Sequence, residues 1–97
     1  MSAVIFEYIK VRRGGKVHKV GVITATEIDR EIRIGWSKCN TALDAFNSDQ
    51  AQVIAVKRIR GEEKMPPTPD CIKRQVRQFA ARSVRYFQDA TLVKIPA

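Results

Sequence analysis

Histidine occurs once, tryptophan once and cysteine twice in 97 residues, and each scarcity removes a class of chemistry. A cysteine nucleophile at Cys39 needs a base beside it, and His18 is the only imidazole available. The two meet only if the second strand lies beside the end of the third, and no third group orients them. A Cys39/His18 reaction centre is therefore not expected. Two cysteines and a histidine with no Cys-x-x-Cys spacing do not make a zinc site, and no metal or cofactor is expected. Cys39 and Cys71 are far apart in a chain with no secretory features, so both thiols read as reduced and structural. No stretch approaches the roughly 18 apolar residues of a membrane span. The opening "MSAVIFEYIKVRR" puts apolar residues before charged ones, the reverse of a signal peptide. A cytoplasmic protein without membrane association is expected. Internal repeats and low-complexity tracts are absent, and an enzyme working through carboxylates alone is left open.

Acidic residues are also scarce, 10 against 18 Lys and Arg, for a net charge of +8. Residues 1–40 hold eight basic and four acidic side chains, residues 41–64 four of each, and residues 65–97 six and two. The excess thus sits at the two ends and the middle is neutral. Such a charge favours phosphates or an acidic protein surface as partner and says nothing about fold.

Length and composition, 44% hydrophobic and 29% charged, suit one folded domain over residues 1–97, alone or as a homo-oligomer. "AVIFEYIKV" (Ala3 to Val11) and "VHKVGVITAT" (Val17 to Thr26) are β-branched and aromatic, as strands are. The intervening "RRGGK" offers Gly14 and Gly15 for a hairpin turn. Its "GGK" lacks the spacing and the following helix of a phosphate-binding loop. After a polar link at Glu27 to Arg30, "EIRIGWS" (Glu31 to Ser37) completes a meander of three antiparallel strands.

Asn40 suits the N-cap of a short helix over "TALDAF", and Ser48 that of a second over "DQAQVIAVKRIR", which Gly61 would end. Val53, Ile54, Val56 and Ile59 would also suit a strand, and the apolar residues surround the helical wheel; helix is preferred. "GEEKMPPTPD" (Gly61 to Asp70) is a proline-rich connection. Thr68 is expected to cap the next helix, with Pro69 at its first position, and the helix to run to about Gln88. Ile72, Val76, Phe79, Ala80, Val84 and Phe87 form its apolar stripe, and Arg74, Arg77, Arg82 and Arg85 fall opposite. "TLVKI" (Thr91 to Ile95) offers a final edge strand. The expected class is α+β: a three-stranded meander followed by two or three helices, about 41–60 and 69–88, packed on one face of the sheet.

Two basic surfaces follow. Lys10, Arg12, Arg13, Lys16 and Lys19 surround the hairpin turn, where they could grip a phosphate backbone or an acidic groove. The arginines of the last helix offer planar guanidinium groups for bidentate contact to phosphate. Gly35 in a strand permits a bulge or the close approach of another backbone. Trp36 either fills the core, which is preferred, or makes a stacking and phosphate platform with Arg33 and Lys38.

The run "RIGWSKCN" (Arg33 to Asn40), then Asp44 and Phe46, then "IAVKR" (Ile54 to Arg58), resembles small proteins encoded by tailed bacteriophages. In these a strand ending Gly-Trp-Ser-x-Cys-Asn precedes a short helix with Asp-x-Phe. The resemblance covers about a third of the chain. It implies a phage or prophage origin and supplies no activity and no site residues. Phage proteins of this size are often non-enzymatic binders that sequester, block or redirect a host component, which is an analogy at the level of the class. Two functions therefore stand: a module for an anionic ligand, nucleic acid or nucleotide, and a protein-interaction module docking on an acidic host surface or through a strand edge.

Overall fold

The computed structural model describes residues 3–39 and 46–96. Three antiparallel strands, β1 (Val4–Arg13), β2 (Lys16–Ile28) and β3 (Glu31–Lys38), are followed by helices α1 (Ser48–Ile59) and α2 (Asp70–Tyr86) and a short strand, β4 (Leu92–Lys94). The sheet order is β1-β2-β3-β4, and β4 pairs with β3 in parallel through Glu31–Leu92, Ile32–Val93 and Arg33–Lys94. The expected α+β class, the meander, the last strand and the helix over 51–60 are all present. The Asn40 cap and most of the "TALDAF" helix lie outside the described residues.

The helices do not share one face, contrary to the expectation. Seven consecutive residues of β2, Val20 to Thr26, are buried, and a strand buried on both sides needs cover on both. Ile23, Ala25, Ile32, Ile34 and Trp36 form one core with Ile72, Val76, Phe79 and Phe87 of α2. On the reverse side Val22 packs on Ala51 and Ala55 of α1, with Tyr8 and Phe46 at the margin. Gly35 lies on this second face: a Cβ there would stand 2.6 Å from Ile59 Cγ1 and 2.8 Å from the Ala55 carbonyl oxygen. Of the two uses allowed for Gly35, the close approach of another backbone is the one realised.

Both helix starts differ from expectation. Asn47, one residue before Ser48, caps α1, its side chain accepting from the Gln50 N–H at 3.0 Å. At α2 the N-cap is Pro69 itself, with no side-chain cap. Thr68 is buried and its hydroxyl donates to the Pro96 carbonyl at 3.5 Å, tying down the tail. In the α2 stripe Val84 is 47% exposed, while Ser83 is fully buried and donates to the Ala80 carbonyl at 2.7 Å. Gly61, with φ +77°, follows the C-cap Arg60 and ends α1 as expected.

The β2–β3 turn has only two residues, Asp29 and Arg30, with φ of +51° and +64°. That pair of positive values is what a type I′ turn demands, and arginine reaches it against Cβ sterics. Arg30→Gly is expected to stabilise the fold by about 0.5–1 kcal/mol, because relief of that strain exceeds the added freedom of the unfolded chain. A thermal melt checks this, with a rise of a few degrees expected.

Candidate functional site

The cations of the hairpin stand on a two-stranded ribbon rather than around a loop. The turn is only Gly14 and Gly15, both at positive φ, so Arg12, Arg13 and Lys16 belong to the strands. β3 stops pairing with β2 at Lys38–Gly21, and the Cys39 N–H closes the edge on the Val20 carbonyl at 2.7 Å. Beyond this point β1 and β2 continue as a two-stranded arm, exposed throughout from Arg12 to Lys19. The molecule's longest dimension, 42 Å, is about the length of the 13 extended residues of β2.

A bulge marks the arm's base. Ile9 pairs with Gly21 but Lys10 pairs with Lys19, so Val20 is the extra residue, an arrangement that sharpens local twist. The pairs Lys10–Lys19 and Arg12–Val17 share one face of the arm, and Val11–His18 and Arg13–Lys16 the other. Both faces are therefore cationic. From Tyr8 to Thr26 there is no acidic residue. Lys19 Nζ sits 4.1 Å from the Tyr8 ring centroid, a cation–π contact that helps fix the base.

The α2 arginines divide. Arg82 bonds Glu7 of β1 and also covers the Phe79 ring, so it ties helix to sheet while most of its side chain stays exposed. Gln75 reinforces the seam, donating to Glu7 and to the Tyr8 carbonyl at 3.1 and 3.0 Å. Arg74, Arg77 and Arg85 are exposed. The start of α2 lies at the arm's base, where Lys38 Nζ contacts Cys71 Sγ at 3.8 Å. Arg74 lies one turn on from Cys71 along α2. Arg85, in the last turn, is at the other end, because Thr91 shortly beyond it donates to Arg30 in the β2–β3 turn.

The platform of Arg33, Trp36 and Lys38 does not form. Trp36 is 5% exposed and belongs to the core under α2, so its ring has no face to offer a ligand. Arg33, three residues away, projects from the other side of β3, where its Nε bonds Glu31 Oε1 at 3.1 Å. Of the two positions weighed for Trp36, core filling is the one found. His18 is exposed on the arm, and Cys39, at its base, is partly buried.

Sequence reasoning missed a third basic region. A cleft of about 560 Å³ opens between the β3–β4 edge and the connection from α1 to α2. Arg33 and Lys94 reach it from paired positions on two strands, Arg58 and Arg60 from the end of α1, and Lys64 from the proline-rich connection. Arg58 donates from Nη1 to the Trp36 carbonyl at 2.8 Å, occupying the edge of β3 beyond the reach of β4, and lies 3.9 Å from Glu63. Its side chain is only 16% exposed.

Among the described residues no group of three or more His, Cys, Asp or Glu side chains could hold a metal ion, and no helix is long and apolar enough to cross a membrane. No family model, curated protein or solved structure matches the chain.

Proposed function

We propose that the chain is a small non-enzymatic binding protein that recognises nucleic acid through its basic arm, with Arg74 and Arg77 as flanking contacts. The observation that carries this reading is the two-stranded ribbon bearing Lys10, Arg12, Arg13, Lys16 and Lys19 with no carboxylate between Tyr8 and Thr26. Two strands about 4.8 Å apart with their side chains fit a major groove about 12 Å wide. Cations on both faces let each face meet one phosphate wall. Such contacts position a protein and dominate affinity without reading bases, so binding with little sequence preference follows. The phage resemblance fits the reading, since a binder of this size acts on components in the host cytoplasm.

Fluorescence anisotropy of labelled duplex DNA, single-stranded DNA and RNA, titrated with nuclease-treated protein at several salt concentrations, tests it. Neutralising about seven phosphates, five through the arm and two through Arg74 and Arg77, gives a log–log slope near −6 on duplex DNA and less on single strands. Absence of binding at low salt refutes the reading.

A second reading has its own observation. β1 is the outermost strand of the sheet, no described strand pairs with its outer edge, and Val4 and Phe6 are exposed along it. An unpaired ten-residue edge is a template for strand addition by a partner protein or a second copy. In that case the protein co-purifies with a specific partner, or with itself, after nuclease treatment.

A further inference from the structure

We propose that the cleft between the β3–β4 edge and the α1–α2 connection is a second, separate site, which takes the terminal phosphate of a single nucleotide unit and packs the unit's ring on apolar walls. It does not rest on the arm's function. The arm is built by β1 and β2, whereas the cleft lies on β3 and β4, five residues along β3 from Lys38, about 17 Å at the rise of a strand.

The charge in the cleft is of one sign. Among the described residues five cations line it and no carboxylate does. Glu31 bonds Arg33, and Glu63 stands 3.9 Å from Arg58. Among the described residues Arg60, Lys64 and Lys94 make no ion pair. Arg33 and Lys94 are register partners across the parallel β3–β4 pair, and like charges so placed repel. An anion between them turns that repulsion into attraction. Arg58 adds a second sign of an incomplete site: its Nε is buried with no hydrogen-bond partner among the described residues, a state that costs free energy unless something accepts from it. One feature opposes an anion, since α1 presents its C-terminal end here. That end carries roughly half a negative charge, against five positive ones.

The uncharged part of the lining sets the rest of the ligand. Ile34, Ile59, Met65, Pro66, Pro67 and Pro96 give apolar walls, and prolines lose little freedom on binding, which favours pre-organisation. A volume of about 560 Å³ falls within the range of sites that enclose a small molecule. A phosphate on a flat, largely apolar ring satisfies both halves of the cleft; inorganic phosphate alone leaves the walls unused.

The test is calorimetric titration of the full chain with adenosine monophosphate, adenosine, pyrophosphate, and a dinucleotide with or without a 5′ phosphate. Saturable one-to-one binding of adenosine monophosphate is expected, at least tenfold weaker for adenosine. If the 5′-phosphorylated dinucleotide binds as well as the free nucleotide, the site takes strand ends; if only the free nucleotide binds, it takes a soluble ligand. Arg60→Gln with Lys64→Gln, both exposed and without an ion pair among the described residues, is expected to weaken binding at least tenfold, and Lys94→Gln to act in the same direction. Arm substitutions at Arg12 and Lys16 are expected to leave it unchanged. Emission from Trp36, whose carbonyl holds Arg58, is expected to change on addition of pyrophosphate, which does not absorb there, and in the apo variants reports that the fold is intact. Failure of every phosphate-bearing probe to bind, or binding indifferent to the Arg60/Lys64 variant, overturns the proposal. Neither result bears on polymer binding by the arm, which is read by anisotropy.

Discussion

Exchanging Lys10, Arg12, Lys16 and Lys19 together for glutamine is expected to remove more than half of the salt dependence of binding to duplex DNA. Each phosphate contact contributes about 0.9 to the log–log slope, so four lost contacts flatten it by about 3.6 and weaken binding at 0.1 M salt by roughly three to four orders of magnitude. Lys10, Arg12 and Lys16 project into solvent with no ion pair among the described residues, and Lys19 gives up only its contact with the Tyr8 ring. The fold is therefore expected to survive. Arg74→Gln with Arg77→Gln removes two flanking contacts, so the slope changes by about 2 and affinity by about a hundredfold. The ranking separates mechanisms: an arm that inserts into a groove loses more than a helix that touches one phosphate wall. If the helix pair costs more than the arm quadruple, the ligand lies along α2 and the arm is peripheral. If neither changes binding, the basic ends only keep the protein soluble, and the edge of β1 becomes the surface to pursue.

Much of this arrangement was legible from residue order, and what was not has a common physical cause. The Gly14–Gly15 turn and the three-strand meander follow from local pattern, because a hairpin joins segments adjacent in sequence. The extent of the arm was harder to see, since Arg12, Arg13 and Lys16 read as turn residues when judged by polarity. In an unsupported ribbon both faces meet water, and the alternation that marks a half-buried strand is absent. The burial of β2 on both faces was written in "VGVITAT", yet only as a run that a helix-on-one-face reading also tolerates. α1 looked ambiguous because Val53, Ile54 and Val56, three of its four large apolar residues, lie outside its buried stripe. Ala51, Ala55 and Ile59, four residues apart, are its buried residues, while Val53 is 53% exposed.

The cleft was invisible for a different reason. Its five cations are drawn from residues 33 to 94, and three of them belong to the segment whose charges sum to zero. Summing charge along the chain cancels Arg58, Arg60 and Lys64, together with Lys57, against Asp44, Asp49, Glu62 and Glu63. The fold places the three cations in the cleft lining, and Asp49, Glu62 and Glu63 are not part of it. Only the parallel pairing of β4 with β3, which depends on the path of α2 between them, brings Lys94 beside Arg33. No local signal specifies that pairing.

Gly35→Ala is expected to destabilise the fold strongly. The new methyl would stand 2.6 Å from Ile59 Cγ1 and 2.8 Å from the Ala55 carbonyl oxygen. A flexible side chain can turn aside, but Ala55 is fully buried and its carbonyl belongs to the helix backbone. α1 must therefore lift as a body, losing contact with the sheet along Ala51, Ala55 and Ile59 together. Overpacking of this kind costs about 3 kcal/mol, and at about 4–8 °C per kcal/mol for a domain of this size the melting temperature falls by roughly 12–24 °C. Adding Ile59→Ala relieves one of the two clashes, so the double variant is expected to lose less than the sum of its parts without recovering the parent stability. A lifted α1 also carries Arg58 and Arg60 away from Arg33 and Lys94. Phosphate binding at the cleft should weaken in Gly35→Ala at temperatures where the chain is still folded, while the arm, anchored on the other two strands, keeps its affinity for duplex DNA. A Gly35→Ala protein within about 0.5 kcal/mol of the parent by urea or thermal melts would mean that α1 does not seat on β3, and the convergence of cations at the end of that helix would fall with it.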